Sequence, residues 1–366
     1  MNKIFYLLLI FLYISNCSLD TKSGLWTKSE KLDSENNKLE IKIFEKDEVY
    51  EKELNTGLKI KLKNNLKKNS FINNLGNNNG VISFSGTIDK IKKFKFSKID
   101  KFDNYQPELL FTNTNNLIFF DDKGSVLNFS TDNKLIWKEN YYSKREKKLK
   151  PILYFAANEK TLIVADSISK YYAININDGK LNWIKNNIAP FNSQIKVFKD
   201  KFFVVDFENI LRCFSIKDGK ELWNIRTENS LIRSQKKLSM VIVNGLIYFN
   251  NSIGDISAVD IKKGELLWQL PTQSSSVYES SFSLETSEII TDGKTLFFSN
   301  NNNQLFSVNI ETASINWENK VNSNIRSALL ENYLFSISLE GYLIVAEVNS
   351  GNIIRITDVF KNFKIN

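Results

Sequence analysis

Ala173-Ile-Asn-Ile-Asn-Asp-Gly-Lys-Leu-Asn-Trp183 is one of three near-copies of a single phrase. The others are Cys213-Phe-Ser-Ile-Lys-Asp-Gly-Lys-Glu-Leu-Trp223 and Ala258-Val-Asp-Ile-Lys-Lys-Gly-Glu-Leu-Leu-Trp268. Trp137 and Trp317 close looser copies, so tryptophan recurs every forty to fifty residues. A fixed period of that length marks a repeat architecture, in which most conspicuous residues are structural.

One period, residues 241–268, shows what the repeat builds. Val241-Ile-Val243 is a short apolar run, and Asn244-Gly245 is a two-residue hairpin signal because both positions tolerate positive φ. Leu246–Phe249 is β-branched and aromatic, Ile256–Val259 gives a third run, and Leu266-Leu-Trp268 begins a fourth after the Lys263-Gly264 turn. Four short antiparallel strands with a turn every eight to ten residues make one blade of an all-β propeller. Degenerate repeat ends at Ile88–Phe94 and at Val345–Gly351 extend the array. In the latter, Arg355 stands where tryptophan is expected. The spacing predicts seven to eight four-stranded blades, with Leu58–Leu62 able to pair into the last blade and close the ring.

Ala173, Cys213, Ala258 and Ser307 lie ten places before their tryptophans. Small side chains there leave room for an indole from a neighbouring strand or blade. Two readings of the row Trp137, Trp183, Trp223, Trp268 and Trp317 stand open: staples between blades, or stacking platforms for a quinone or sugar ring.

The N-terminus reads as a secretion signal. Lys3 precedes an unbroken apolar run, Ile4–Ile14, too short to span a bilayer as a helix. Ser15-Asn16-Cys17 follows and resembles the lipobox of bacterial lipoproteins, although Asn16 takes a place usually held by Gly, Ala or Ser. The resemblance implies a signal peptide over 1–16 and lipid on the Cys17 thiol. Ser18, in place of aspartate, points to the outer membrane. Residues 17–55 then form the lipidated N-terminus and a flexible tether rich in Lys, Glu, Asp, Ser and Asn, and 56–366 the propeller. If Cys17 carries lipid, Cys213 has no partner, and its small-residue slot predicts burial. The net charge is +8. A secreted chain meets no nucleic acid, so this surplus favours anionic phospholipid headgroups.

The chain contains no histidine, which excludes histidine acid–base catalysis, His-dependent triads and histidine metal sites. There is no Cys-x-x-Cys pair and no phosphate-binding glycine loop. Asp166, Asp178, Asp206, Asp218, Asp255 and Asp260 occur singly, at turns and strand ends, where aspartate bonds its own backbone. No catalytic, cofactor-binding or metal residues emerge.

The phrase Ala-x-Asp/Asn-x-x-x-Gly-x-x-x-Trp resembles the repeat of pyrroloquinoline quinone (PQQ) enzymes and their non-enzymatic relatives. A lipoprotein signal followed only by such repeats resembles the BamB-like family of the outer-membrane β-barrel assembly (BAM) machinery, in its lysine- and asparagine-rich alphaproteobacterial style. The resemblance covers roughly residues 55–366. It implies a non-catalytic scaffold without a cofactor, lipid-anchored at the periplasmic face of the outer membrane and monomeric within a complex. Its partners would be a BamA-like barrel-inserting subunit and nascent outer-membrane proteins. The family's contact loop matches Ser230-Leu231-Ile232-Arg233, which makes Leu231, Ile232 and Arg233 the partner-binding candidates. The other reading of that loop is that its apolar residues fold back on the blade. A second, acidic contact region has no clear counterpart around Ser274–Glu279. The alternatives are a PQQ-dependent dehydrogenase-like protein and a periplasmic ligand-binding propeller.

Overall fold

The computed structural model describes residues 52–62, 78–81, 109–112, 114, 116–228, 234, 236–272 and 284–361. The chain divides into two units, Met1–Asp47 and Glu48–Asn366, and every described residue belongs to the second.

Among the described residues, six four-stranded antiparallel sheets follow one another, each in simple up-and-down order. They are β1 (Leu110–Phe111), β2 (Leu117–Phe120), β3 (Val126–Phe129) and β4 (Leu135–Glu139); then, after a one-turn helix α1 (Lys144–Lys147), β5 (Leu153–Ala157), β6 (Thr161–Asp166), β7 (Lys170–Asn175) and β8 (Leu181–Asn186); then β9 (Lys196–Phe198), β10 (Lys201–Val205), β11 (Ile210–Ser215) and β12 (Glu221–Arg226); then β13 (Met240–Val243), β14 (Leu246–Asn250), β15 (Ile256–Asp260) and β16 (Glu265–Leu270); then β17 (Ile290–Thr291), β18 (Thr295–Asn300), β19 (Gln304–Asn309) and β20 (Ile315–Asn319); and finally β21 (Ala328–Leu330), β22 (Tyr333–Ile337), β23 (Tyr342–Glu347) and β24 (Ile353–Asp358). First strands of successive sheets adjoin, β5 against β9, β9 against β13 and β17 against β21. This is a β-propeller, with the first strand of each blade innermost and the fourth outermost. The Asn244-Gly245 hairpin adopts positive φ at both residues, 51° and 79°. The repeat end expected at Ile88–Phe94 lies outside the described residues.

The core lies between blades. Leu153, Phe155, Ala157, Leu162 and Val164 of the second blade pack with Leu110, Ile118, Phe120 and Val126 of the first. Tyr154, Ala156, Ile163 and Ala165, facing the other way, pack with Phe202, Val204 and Phe214 of the third. Both faces of a blade are therefore buried, so the second strands read as continuous apolar runs such as Leu162-Ile-Val-Ala165 rather than alternating ones.

The tryptophans hold these layers together. Each outer-strand indole donates its Nε1–H to a backbone carbonyl of the following blade: Trp137 to Ile176 (3.2 Å), Trp183 to Ile216 (2.9 Å), Trp223 to Ile261 (3.2 Å), Trp268 to Ile310 (3.2 Å) and Trp317 to Val348 (2.8 Å). Beneath four of the five rings sits a glycine of the following blade's last turn. A Cβ on Gly219 would come within 2.6 Å of the Trp183 ring, and one on Gly264 within 2.7 Å of Trp223. The small residues explain the fit from the other side. Ala173, Cys213, Ala258 and Ser307 are the register partners of their own blade's tryptophan, and a bulge follows immediately. The bulge turns the strand so that the indole leans onto the next blade, and it leaves Leu222, Leu267 and Ile136, each just before a tryptophan, exposed. Cys213 is fully buried, and burial pushes its thiol up to about 12.

The last described blade departs from this scheme. Arg355 donates to the Leu58 carbonyl at 2.7 Å. The pairing expected of Leu58–Leu62 is made instead by Leu54, which forms an antiparallel bridge with Ile356 on the outer edge of β24. A turn at Asn55–Leu58 redirects the chain, so 58–62 carries no strand.

Replacing Trp223 with Ala should cost about 3–5 kcal/mol, read as a lower denaturant midpoint. Trp223→Phe keeps most of the contact and loses the hydrogen bond, worth about 1 kcal/mol, so its midpoint should lie nearer wild type.

Candidate functional site

Antiparallel order within each blade places two kinds of loop on one face of the propeller, here the upper face: the connections from outer strand to next inner strand, and the turns between second and third strands. Those turns are rigid. The residue that closes or directly follows each second strand turns its side-chain oxygen back onto the turn's backbone. Asp121 accepts from the N–H groups of Lys123 and Ser125, Asp166 from Ile168 and Lys170, Asp206 from Glu208 and Ile210, and Asn251 from Ile253 and Asp255. Asn300 and Ser338 make shorter versions in the last two blades. Asp178 and Asp260 brace turns on the opposite face in the same way. Asp255 instead accepts from Gln269.

Further charges consolidate this face. Arg212 spans Asp206 and Glu221, at 2.7 Å each, and Lys138 meets Asp121 at 2.9 Å. Asp166 accepts from the Tyr142 hydroxyl at 2.5 Å. Burial pushes its carboxyl up to about 6, against the pull of that bond and of the Lys170 and Ile168 amides.

Closer to the axis, three connections converge. Lys236 approaches Glu285 at 3.9 Å and donates to the Asn324 carbonyl at 2.8 Å. Glu288 is shared by Lys237 (4.0 Å) and Arg326 (3.0 Å). Burial raises the Glu288 carboxyl, but Lys237, Arg326 and Lys196 outweigh it and hold the group below its ordinary value. Burial also lowers the Lys236 ammonium pKa. Beside this cluster the chain's own Asn78–Gly80 lies along the inner strands: Thr291 N–H donates to Asn78 O, Leu329 N–H to Asn79 O, and Asn78 Nδ2 to Ile242 O. One short segment thus bonds three successive blades at their inner edges. The charged cluster has no local sequence signature, since its members come one or two at a time from separate blades. The only available signal was that each precedes an inner strand.

Leu231, Ile232 and Arg233 lie outside the described residues, as do Ser274–Glu279 and Cys17. The ends of both loops are placed. Thr227 donates to the Asn209 carbonyl, and Asn209 to that of Glu228. On the far side, Ser234 N–H donates to Ser252 O (2.9 Å), and the Ser234 hydroxyl to Leu284 O. The described residues that follow 229–233 and 273–283 are therefore hydrogen-bonded to each other on the upper face. Among the described residues, no three Cys, Asp or Glu side chains gather as a metal site.

Fold and face together define a PQQ-type repeat propeller whose indoles are committed to its own blades. The family model described as outer membrane protein assembly factor BamB matches residues 122–357, and the chain belongs to that family. No curated protein matches it. Among solved structures, BamB from Moraxella catarrhalis aligns with a TM-score of 0.56 at 13% identity, covering 68% of this chain and 75% of that one. The computationally designed Ika8 protein aligns with a TM-score of 0.54 at 13% identity, over 70% and 76%. A quinohemoprotein alcohol dehydrogenase from Pseudomonas putida HK5 reaches 0.45 at 15% identity, over 57% and 41%.

The raised Asp166 pKa has a consequence for stability. An unfolded aspartate titrates near 3.9, so the folded chain keeps its proton longer. That contribution is full below about pH 4 and is lost as pH rises through about 6. Asp166→Asn mimics the protonated form. Its melting temperature relative to wild type should climb from pH 4.5 to pH 7.5, by an equivalent of about 3 kcal/mol at most. A pH-independent difference would mean that Asp166 is ionised throughout.

Proposed function

We propose that this protein is a non-catalytic lipoprotein scaffold of the outer-membrane β-barrel assembly machinery. It sits at the periplasmic face of the outer membrane, binds a BamA-like barrel-inserting subunit, and helps nascent outer-membrane proteins reach it. The family match over residues 122–357 carries this reading. The architecture supports it. Five indoles bond across to the following blade, which supports reading them as staples rather than as a ring-stacking row for a quinone. The upper face braces its turns with side-chain hydrogen bonds, and the described ends of two connections meet there, Ser234 donating its hydroxyl to the Leu284 carbonyl.

Leu231, Ile232 and Arg233 are proposed as the grip. Apolar residues on such a loop anchor a partner, and arginine adds charge-assisted bonds to carboxylates or backbone carbonyls. Truncating a hot-spot residue costs about 2 kcal/mol or more, roughly a thirtyfold loss of affinity. Ile232→Ala combined with Arg233→Ala should abolish co-purification with the barrel-assembly subunit and leave the circular-dichroism spectrum and melting temperature near wild type. Co-purification that survives places the contact elsewhere; a fold that fails makes the loop packing rather than interface.

Cys17 is proposed as the lipid attachment. A fatty-acid analogue fed to cells should label the wild type and spare Cys17→Ser. Equal labelling of both would sink the idea.

A further inference from the structure

Away from the axis, the upper face carries a second feature, on the connections that enter the second and third blades. The first connection contains Lys144-Arg-Glu-Lys-Lys-Leu-Lys150, five cations and one anion in seven residues. Helix α1 opens with a capping box at Ser143 and ends at Lys147, and the chain turns at Lys150, whose φ is 50°. Leu149, between Lys148 and Lys150, is 62% exposed. The single anion faces inward: Glu146 accepts from Ser143 N–H at 2.8 Å and pairs with Lys170 at 2.7 Å. Lys144, Arg145, Lys148 and Lys150 are all exposed.

The next connection presents Ile188, 94% exposed. Looseness does not account for it, because its neighbours are pinned. Asn187 N–H donates to Ser169 O at 2.7 Å, and Asn187 Nδ2 to Ala189 O at 2.9 Å. Ala189 and Phe191 are buried, and Phe191 N–H donates to Asp166 O at 3.0 Å. The turn Asp166–Lys170 receives both connections, since Ser167 N–H donates to Ile152 O at 3.0 Å on its other side. Two aliphatic tips and a band of cations thus project from either side of one rigid turn.

Lysine is depleted from protein–protein interfaces, whose anchors are mostly aromatic residues and arginine. Aliphatic tips among lysines suit a surface that is anionic at its top and apolar beneath, as at the headgroup boundary of a bilayer. We propose that this edge of the upper face docks on a membrane surface bearing anionic phospholipid headgroups, with Leu149 and Ile188 entering between headgroups while Arg145 and the lysines bind phosphates. The inference stands on this patch alone and does not depend on the barrel-assembly partner.

The test uses the full chain with Cys17→Ser, which removes the proposed lipid attachment and is the wild-type background here, carrying Ile188→Cys labelled with an environment-sensitive fluorophore. That background without Ile188→Cys is labelled in parallel, and Glu311→Cys marks the opposite face. Vesicles of phosphatidylglycerol and phosphatidylethanolamine carry a quencher in the acyl region. The label at 188 should shift to the blue and be quenched. It should do neither on phosphatidylcholine vesicles, and the label at 311 should respond to neither. Each lysine near such a surface is worth about fivefold in partitioning. Lys144→Glu with Arg145→Glu and Lys148→Glu should therefore weaken vesicle binding a hundredfold or more at low salt, with an unchanged circular-dichroism spectrum. Raising salt should weaken wild type similarly. Equal quenching at 188 and 311, or binding that survives the triple reversal, overturns the proposal. So does a shift at 188 produced by the solubilised barrel-assembly subunit without lipid, which would make the patch a protein interface.

Discussion

Everything in this propeller rests on an indole reaching from the outer strand of one blade to the last turn of the next. The hydrogen bond itself is modest. Its value lies in fixing where a large aromatic ring is buried, and so the angle at which one blade meets another. Three other features of the repeat serve that contact. The small register partner clears space on the tryptophan's own sheet, the bulge swings the strand toward its neighbour, and the glycine lets a ring lie flat on a left-handed turn. The fourth junction shows how tightly these are coupled. Ala313 stands in the corresponding turn with φ 60°, and the chain accepts a strained alanine there rather than another turn geometry.

Because the core is interfacial, each blade depends on its neighbours for stability, while its loops depend on almost nothing. The aspartates and asparagines after the second strands supply locally what a loop would otherwise take from packing: partners for buried backbone N–H groups. The upper face is thereby stiffened turn by turn, leaving the connections between blades to vary in length and charge. Both surfaces proposed for contact belong to these connections: the ones that return at Ser234 and Leu284, and the cationic band with Ile188.

This division also decides what the sequence disclosed. The strands and turns of residues 241–268 were legible to within about a residue, because hairpin chemistry and β-propensity act locally. The tryptophan period was legible because every blade solves the same packing problem. The bulge was not, since it appears only when two strands are laid side by side. Nor was the cluster of Lys236, Lys237, Glu285, Glu288 and Arg326, which is assembled from separate blades. Asp255 looked like a turn residue, but Asn251 holds that turn, because the side chain that braces it must come from the residue closing the second strand. Leu58–Leu62 alternated like a strand, yet the Asn55–Leu58 turn comes first and Leu54 takes the pairing.

Arg355 shows the same logic where the repeat gives way. An indole at that place would need a glycine turn from a following blade. What lies against β24 is the segment from Glu53 to Leu58, which offers backbone carbonyls. A guanidinium is long enough to reach one and has donors to spare, so Arg355 bonds Leu58 O and Thr357 Oγ1 at once. Asn55 adds a bond to Ile354 O, and Lys361 meets Glu53. These contacts are exposed, and exposed ion pairs are worth little. Among the described residues, the outer edge of β24 is thus held by polar contacts where the other junctions bury aromatic surface. Local opening starts where few apolar contacts are at stake, which singles out the junction of Leu54 with β24 as the first to part.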